Sequence, residues 1–219
     1  MDKRTILNAV EAYVKKRMAF TKDSAHDFRH VQRVRIWALR IAKKERFTDL
    51  FLLEVAVLLH DIGRTAKTRE NHYRAGERLA KRYLRTLNFF NDDEIGRICR
   101  AVYGHGPGGT EQIVKILRDA DRMDLLGAIG IARCFTHLYD RPYYIDADSF
   151  AGGKWKKNDK VDKYAGDRPW ARSSVDNLNF CLDHYERFDT RSAKSLAKDK
   201  IKFLNKFIRQ FKKETIDLT

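Results

Sequence analysis

The sequence predicts an all-α fold, and three observations carry that prediction. Apolar residues recur at three- and four-residue spacings through most of the chain. Acidic or amide residues stand ahead of several of these stretches, where helix caps belong. Convincing strands are few, and no internal repeat is evident. The 219 residues suffice for one good core, so a single domain over 1–219 is expected. An apolar content of 43% with 11% aromatics excludes a disordered chain.

The first helix is expected from Thr5 to Phe20, where Ile6, Val10, Tyr13, Val14 and Met18 repeat at helical spacing. Asp27 suits an N-cap for a second helix from Phe28 to Arg46. His30, Val34, Trp37, Ala38 and Ile41 share its inward face, with Arg29, Arg33, Arg40 and Lys43 turned outward. The third, Leu50 to Leu59, has Glu54 as its single charge and reads as packed on nearly all sides. It delivers His60 and Asp61 at its buried end, with Gly63 as its stop. A fourth helix, His72 to Leu87, opposes an apolar side to a basic stripe of Arg74, Arg78, Lys81, Arg82 and Arg85. Asn91-Asp-Asp-Glu94 is a capping-box signal for a fifth that carries Ile95, Ile98, Cys99, Val102 and His105 on one face. Gly104, Gly106, Pro107, Gly108 and Gly109 end it, either as a simple turn or as a close backbone approach to a ligand. Ile113, Ile116 and Leu117 lead into Asp119-Ala-Asp121-Arg-Met-Asp124, and Leu125 to Phe135 is again apolar. From Asp140 to Ser174 periodicity gives way to charges, glycines, prolines and aromatics, which reads as a partly ordered flap. Two helices, about 175–188 and 191–213, close the chain.

The formal charge of +15 suits an anionic substrate, nucleic acid or a basic, solvated surface. The basic residues run from Lys3 to Lys213 without a compact tail, which favours the solvated surface with one local patch. Cys99, Cys134 and Cys181 form no CxxC and are expected buried and reduced. No apolar run reaches the roughly 20 residues of a membrane span, and the N-terminus has no apolar signal core. A cytoplasmic location is the expectation.

His30, His60, Asp61 and Asp121 belong together. Neighbouring positions on a helix point about 100° apart, so His60 and Asp61 share one ion only if it lies off the helix end. His30 and Asp121 would complete the cage from two other helices. Two imidazoles and two carboxylates suit a divalent first-row ion, Mn, Fe, Co or Ni in preference to Mg. Such an ion activates water and polarises a phosphoryl group. A lone His-Asp pair proves little, since His26-Asp27 is a second one in this chain. The weight lies in the coincidence that His30, His60, His72 and His105 all stand at ends of apolar faces.

The ordered set His30-Val-Gln-Arg-Val, His60-Asp61-Ile-Gly and Asp119-Ala-Asp121-Arg-Met-Asp resembles the HD-domain superfamily of metal-dependent phosphohydrolases, and most of all its stand-alone YedJ-like branch. The resemblance covers about 25–141 and extends more weakly over the closing helices, where Phe188-Asp-Thr190 also matches. It implies an HD-type helical bundle with His30, His60, Asp61 and Asp121 as ligands of one metal. His72 and His105 resemble the additional histidines of binuclear relatives, and so mark a possible second metal or substrate position. Gly104 stands where the partner of His105 would be. Arg64 falls where HD-GYP proteins carry a lysine near phosphate, and a guanidinium there can clamp two phosphate oxygens. Asp124 is expected as a salt-bridge partner, a support for the ligands or a proton donor. Neither a GYP motif nor the Glu-Asp pair of guanosine tetraphosphate hydrolases is present. The implied function is hydrolysis of a nucleotide or similar small phosphate ester or anhydride by metal-activated water. The competing expectation is a nucleic-acid-binding protein with a structural or vestigial metal site, favoured by the stripe from Arg74 to Arg85.

Overall fold

The computed structural model describes residues 1–19, 24–66, 68, 70–137 and 174–216. The flap expected from residue 140 lies outside them, up to Ser174, which opens a helix. The described residues form helices and no strand. These are α1 (Lys3–Met18), α2 (Phe28–Lys44), α3 (Leu50–Leu59), α4 (His72–Thr86), α5 (Asp92–Gly104), α6 (Gln112–Met123), α7 (Gly127–His137), α8 (Ser174–Glu186) and α9 (Arg191–Ile216), with 3₁₀ turns at Ser24–His26 and Ile62–Thr65. None is long and apolar enough to cross a membrane.

The chain divides into two compact units, one of residues 1–124 with 189–193, the other of 125–188 with 194–219. In the first, caps and stripes work as the sequence predicts. Asp27 accepts from the His30 amide at 2.8 Å, and Asn91 and Glu94 close a reciprocal capping box at 2.9 and 3.0 Å. α1 buries Ile6, Val10, Val14 and Met18, four residues apart. α3 lies against α1, α2, α5 and α6, which is why Leu52, Leu53 and Val55 through Leu59 are all buried. Its one charge, Glu54, is answered by Arg35 of α2 at 2.7 Å. Tyr83 of α4 stacks on Tyr13 of α1 with centroids 3.7 Å apart, and its hydroxyl donates to the Ala9 carbonyl.

Gly63 does not end α3; the helix is already over at Leu59, with His60 as cap. Its role is close packing. A Cβ there would lie 1.9 Å from the His72 carbonyl oxygen and 2.5 Å from the Gly76 amide, so only glycine lets α4 start so near the turn. Gly106 is similar, because a Cβ would enter the Tyr73 ring.

Asp119 of α6 is fully buried and accepts from the backbone N–H groups of Asp189 and Thr190 and from the Thr190 hydroxyl, at 2.8–2.9 Å. Asp189 in turn receives a two-pronged bond from Arg118, both contacts 2.8 Å. This clamp makes residues 189–193 part of the first unit. In the second unit α7 packs on α8 with the Cys134 and Cys181 sulfurs 3.5 Å apart, and Phe135 meets Phe207 and Phe211 edge-on. None of the three cysteines is in a disulfide, and all three are buried.

Candidate metal centre

Helix ends converge on one point of the first unit. His30 comes from the first turn of α2, His60 caps α3, Asp61 follows it, and Asp121 lies in the last turn of α6. His72 opens α4, and His105 caps α5. A helix end is the place where an apolar face can stop and hand over a polar side chain without interrupting its own hydrogen bonds.

Two nitrogens, His30 Nε2 and His60 Nε2, face each other at 3.3 Å. Asp121 Oδ1 is 3.3 Å from His30 Nε2, and Asp61 Oδ2 is 3.6 Å from His30 Nε2 and 3.7 Å from His60 Nε2. The outer ring atoms fix the proton positions. His60 Nδ1 lies 2.7 Å from the Val57 carbonyl, which only accepts, so Nδ1 donates. His30 Nδ1 lies 2.8 Å from Asp124 Oδ2 and donates likewise. In the neutral rings both Nε2 atoms therefore turn lone pairs toward each other and toward two carboxylates, which is the donor set of a cation site.

The electrostatics keep these groups in ligand form. Burial pushes His60 down to about 4 from its ordinary 6.5, so it is neutral at physiological pH. Burial raises Asp61, but Arg64 and then the histidines outweigh it and hold this carboxyl well below the usual range. Burial raises Asp121 as well, but a hydrogen bond from the protonated His30 ring and the charge of the surrounding histidines outweigh it and hold this carboxyl well below the usual range. His105 is lowered by burial, and donates from Nδ1 to the Val102 carbonyl at 2.6 Å. His72 is pushed down to about 4 by burial and by Arg64.

Every site residue singled out in the sequence is present here. Arg64 Nε donates to Asp61 Oδ1 at 2.9 Å. Asp124, 1% exposed, takes His30 on one oxygen and a two-pronged bond from Arg33 at 2.8 and 2.9 Å. Asp61, His30 and His60 are buried, whereas Asp121, His72 and Arg64 are 28%, 19% and 24% exposed and line the open side. Arg33 is a correction. Expected to point outward, it reaches back to Asp124, with its guanidinium held above its ordinary pKa by that bond. Its only sequence signal was its place one turn after His30, which puts it on the same face. Tyr73, against both His72 and His105, gave no signal.

A His, a His-Asp pair and an Asp are thus delivered to one place by three helix ends of an all-α unit. Residues 27–128 match the model of the HD domain. The chain is 27% identical over 205 residues to the uncharacterized protein YpgQ of Bacillus subtilis, covering 88% of this chain and 86% of YpgQ. The crystal structure of YpgQ in complex with ADP superposes with a TM-score of 0.69 at 23% identity, covering 98% of this chain and 97% of YpgQ. A predicted HD superfamily hydrolase from an uncultured Thermotogales bacterium aligns at 27% identity and a TM-score of 0.64, over 94% of this chain and 91% of its own. The fold is that of the HD-superfamily hydrolases.

Proposed function

We propose that this chain is a metal-dependent phosphohydrolase acting on a nucleotide or related small phosphate ester or anhydride. His30, His60, Asp61 and Asp121 would hold one divalent ion, Mn, Fe, Co or Ni in preference to Mg. The observation that carries this reading is the convergence of four acceptors with both Nδ1 protons committed elsewhere. When bound, the ion supplies an acidified water and a polarised phosphoryl oxygen.

The chain's own residues do the rest. Asp124, braced by Arg33, holds His30 in the tautomer that leaves Nε2 able to coordinate. The Val57 carbonyl does so for His60. Arg64, at the rim, neutralises charge developing on a phosphate while its Nε keeps Asp61 oriented. The ADP found in the similar Bacillus subtilis protein supports a ligand of nucleotide type. Three buried thiols outside any disulfide suit a reducing, cytoplasmic setting.

The test is phosphate release from nucleoside mono-, di- and triphosphates by metal-stripped protein reloaded with each ion. Release that requires Mn, Fe, Co or Ni and disappears in His60→Ala supports the proposal. Release that is equal with and without metal, or retained by His60→Ala, opposes it. The exposed stripe Arg74, Arg78, Lys81, Arg82 and Arg85 keeps a nucleic-acid reading in play. Steeply salt-dependent DNA or RNA binding that survives His60→Ala, without any hydrolysis, would favour it.

A further inference from the structure

Asp61 has two working faces. Its Oδ2 looks toward His30 and His60, while Oδ1 lies 4.0 Å from His72 Nε2 and 3.8 Å from His105 Nε2. Asp61, His72 and His105 offer three ligand atoms within 4.8 Å of one another. His72 Nε2 is buried without a hydrogen-bond partner. His105 Nδ1 gives its proton to the Val102 carbonyl, so its Nε2 also presents a lone pair. This is a second cation-type donor set that shares Asp61 with the first.

A cation already stands against it. Arg64 Nε donates to the same Asp61 Oδ1 at 2.9 Å. The backbone dictates that contact. Ile62–Thr65 is a 3₁₀ turn, and at three residues per turn the side chain of residue i+3 eclipses that of residue i. The Arg64 amide bonds the Asp61 carbonyl at 3.0 Å, which sets Arg64 directly over Asp61. Thr65 ties the turn to Ile62 and receives Arg17 of α1 at 3.0 Å, so the turn is held from outside. A guanidinium does not lose its charge in a protein.

We infer that Arg64 is a tethered cation that limits this centre to one divalent ion. Its guanidinium takes the charge position on Asp61 Oδ1 that a second ion bound by His72 and His105 would need. The second donor set is thus a divalent-cation site closed by a side chain of the same chain. The positive charge beside the substrate phosphate is then an arginine rather than a second metal. This rests on the single-ion reading of His30, His60, Asp61 and Asp121.

The test counts ions rather than turnover. Full-length wild type, Arg64→Lys, Arg64→Met and the more conservative Arg64→Gln are stripped, reloaded with excess Mn(II), desalted and assayed for Mn per chain and by EPR. Wild type and Arg64→Lys are expected to hold about one ion with the spectrum of an isolated Mn(II). Arg64→Met and Arg64→Gln are expected to hold about two, with an exchange-coupled spectrum that reverts to the isolated form when His72→Ala is added. Circular dichroism checks folding, and Arg64→Gln decides if Arg64→Met is unfolded. One ion in both uncharged variants, or two in wild type, overturns the inference and leaves the hydrolase reading standing. No ion in wild type overturns both.

Discussion

Asp124→Asn separates two roles for a buried carboxylate. Asp124 Oδ2 takes both His30 Nδ1 and Arg33 Nη2, and Oδ1 takes Arg33 Nε. An asparagine keeps the size but must turn its NH₂ toward one of these donors. Facing Arg33, it replaces a charge-assisted bond by a donor–donor clash; facing His30, it forces the imidazole proton onto Nε2, the coordinating atom. A lost bond to a charged partner costs about 1.5–3 kcal/mol. That is roughly a 10- to 100-fold loss of metal affinity, the range expected when the support of a metal-bound histidine is removed. The assay is Mn(II) titration by calorimetry, with kcat measured at saturating metal. If Asp124 positions His30, affinity falls by that factor and much of kcat returns at high metal. Unchanged affinity with a collapsed kcat would refute the positioning role and make Asp124 a proton donor.

Gly63→Ala puts a Cβ 1.9 Å from the His72 carbonyl, where backbone must move, and should cost about 3 kcal/mol or more; a melting temperature within two degrees of wild type would contradict it. Asp119→Ala strands two backbone N–H groups and a hydroxyl, and is expected to destabilise by about 2–4 kcal/mol in chemical denaturation. His60 and His72, pushed down to about 4 by burial, stay neutral in the folded protein where the unfolded chain protonates near 6.5. These two histidines bind more protons in the unfolded state between about pH 6.5 and 4, which outweighs the opposite effect of Asp119, pushed up to about 6 by burial, so stability in the presence of EDTA falls as pH drops through that window. A flat denaturation midpoint from pH 6.5 to 4.5 would show that these histidines are not buried as neutral groups.

Much of the fold was legible because its signals are local. The Asp27 cap, the Asn91–Glu94 box and the unbroken apolar run before His60 are each read within a few residues. The histidines and aspartates of the site were legible because each ends an apolar face, where burial demands a partner. What stayed hidden depends on distance or on exact backbone form. The Asp119 clamp joins residues about 70 apart and leaves no periodic trace. Helical position sets Arg33 on the solvent side, whereas the buried Asp124 carboxylate turns it in. Helical periodicity alone cannot show that Asp61 presents its two oxygens to different histidine pairs, nor that a 3₁₀ turn stacks Arg64 on it.

The proposed chemistry depends on a divalent ion held by His30, His60, Asp61 and Asp121. The measurement that meets it most directly is metal content by mass spectrometry on untagged protein, wild type beside Asp61→Ala. About one transition-metal ion per chain is expected in wild type and none in the variant. No metal in either, even after incubation with Mn, Fe, Co, Ni or Mg, would contradict it.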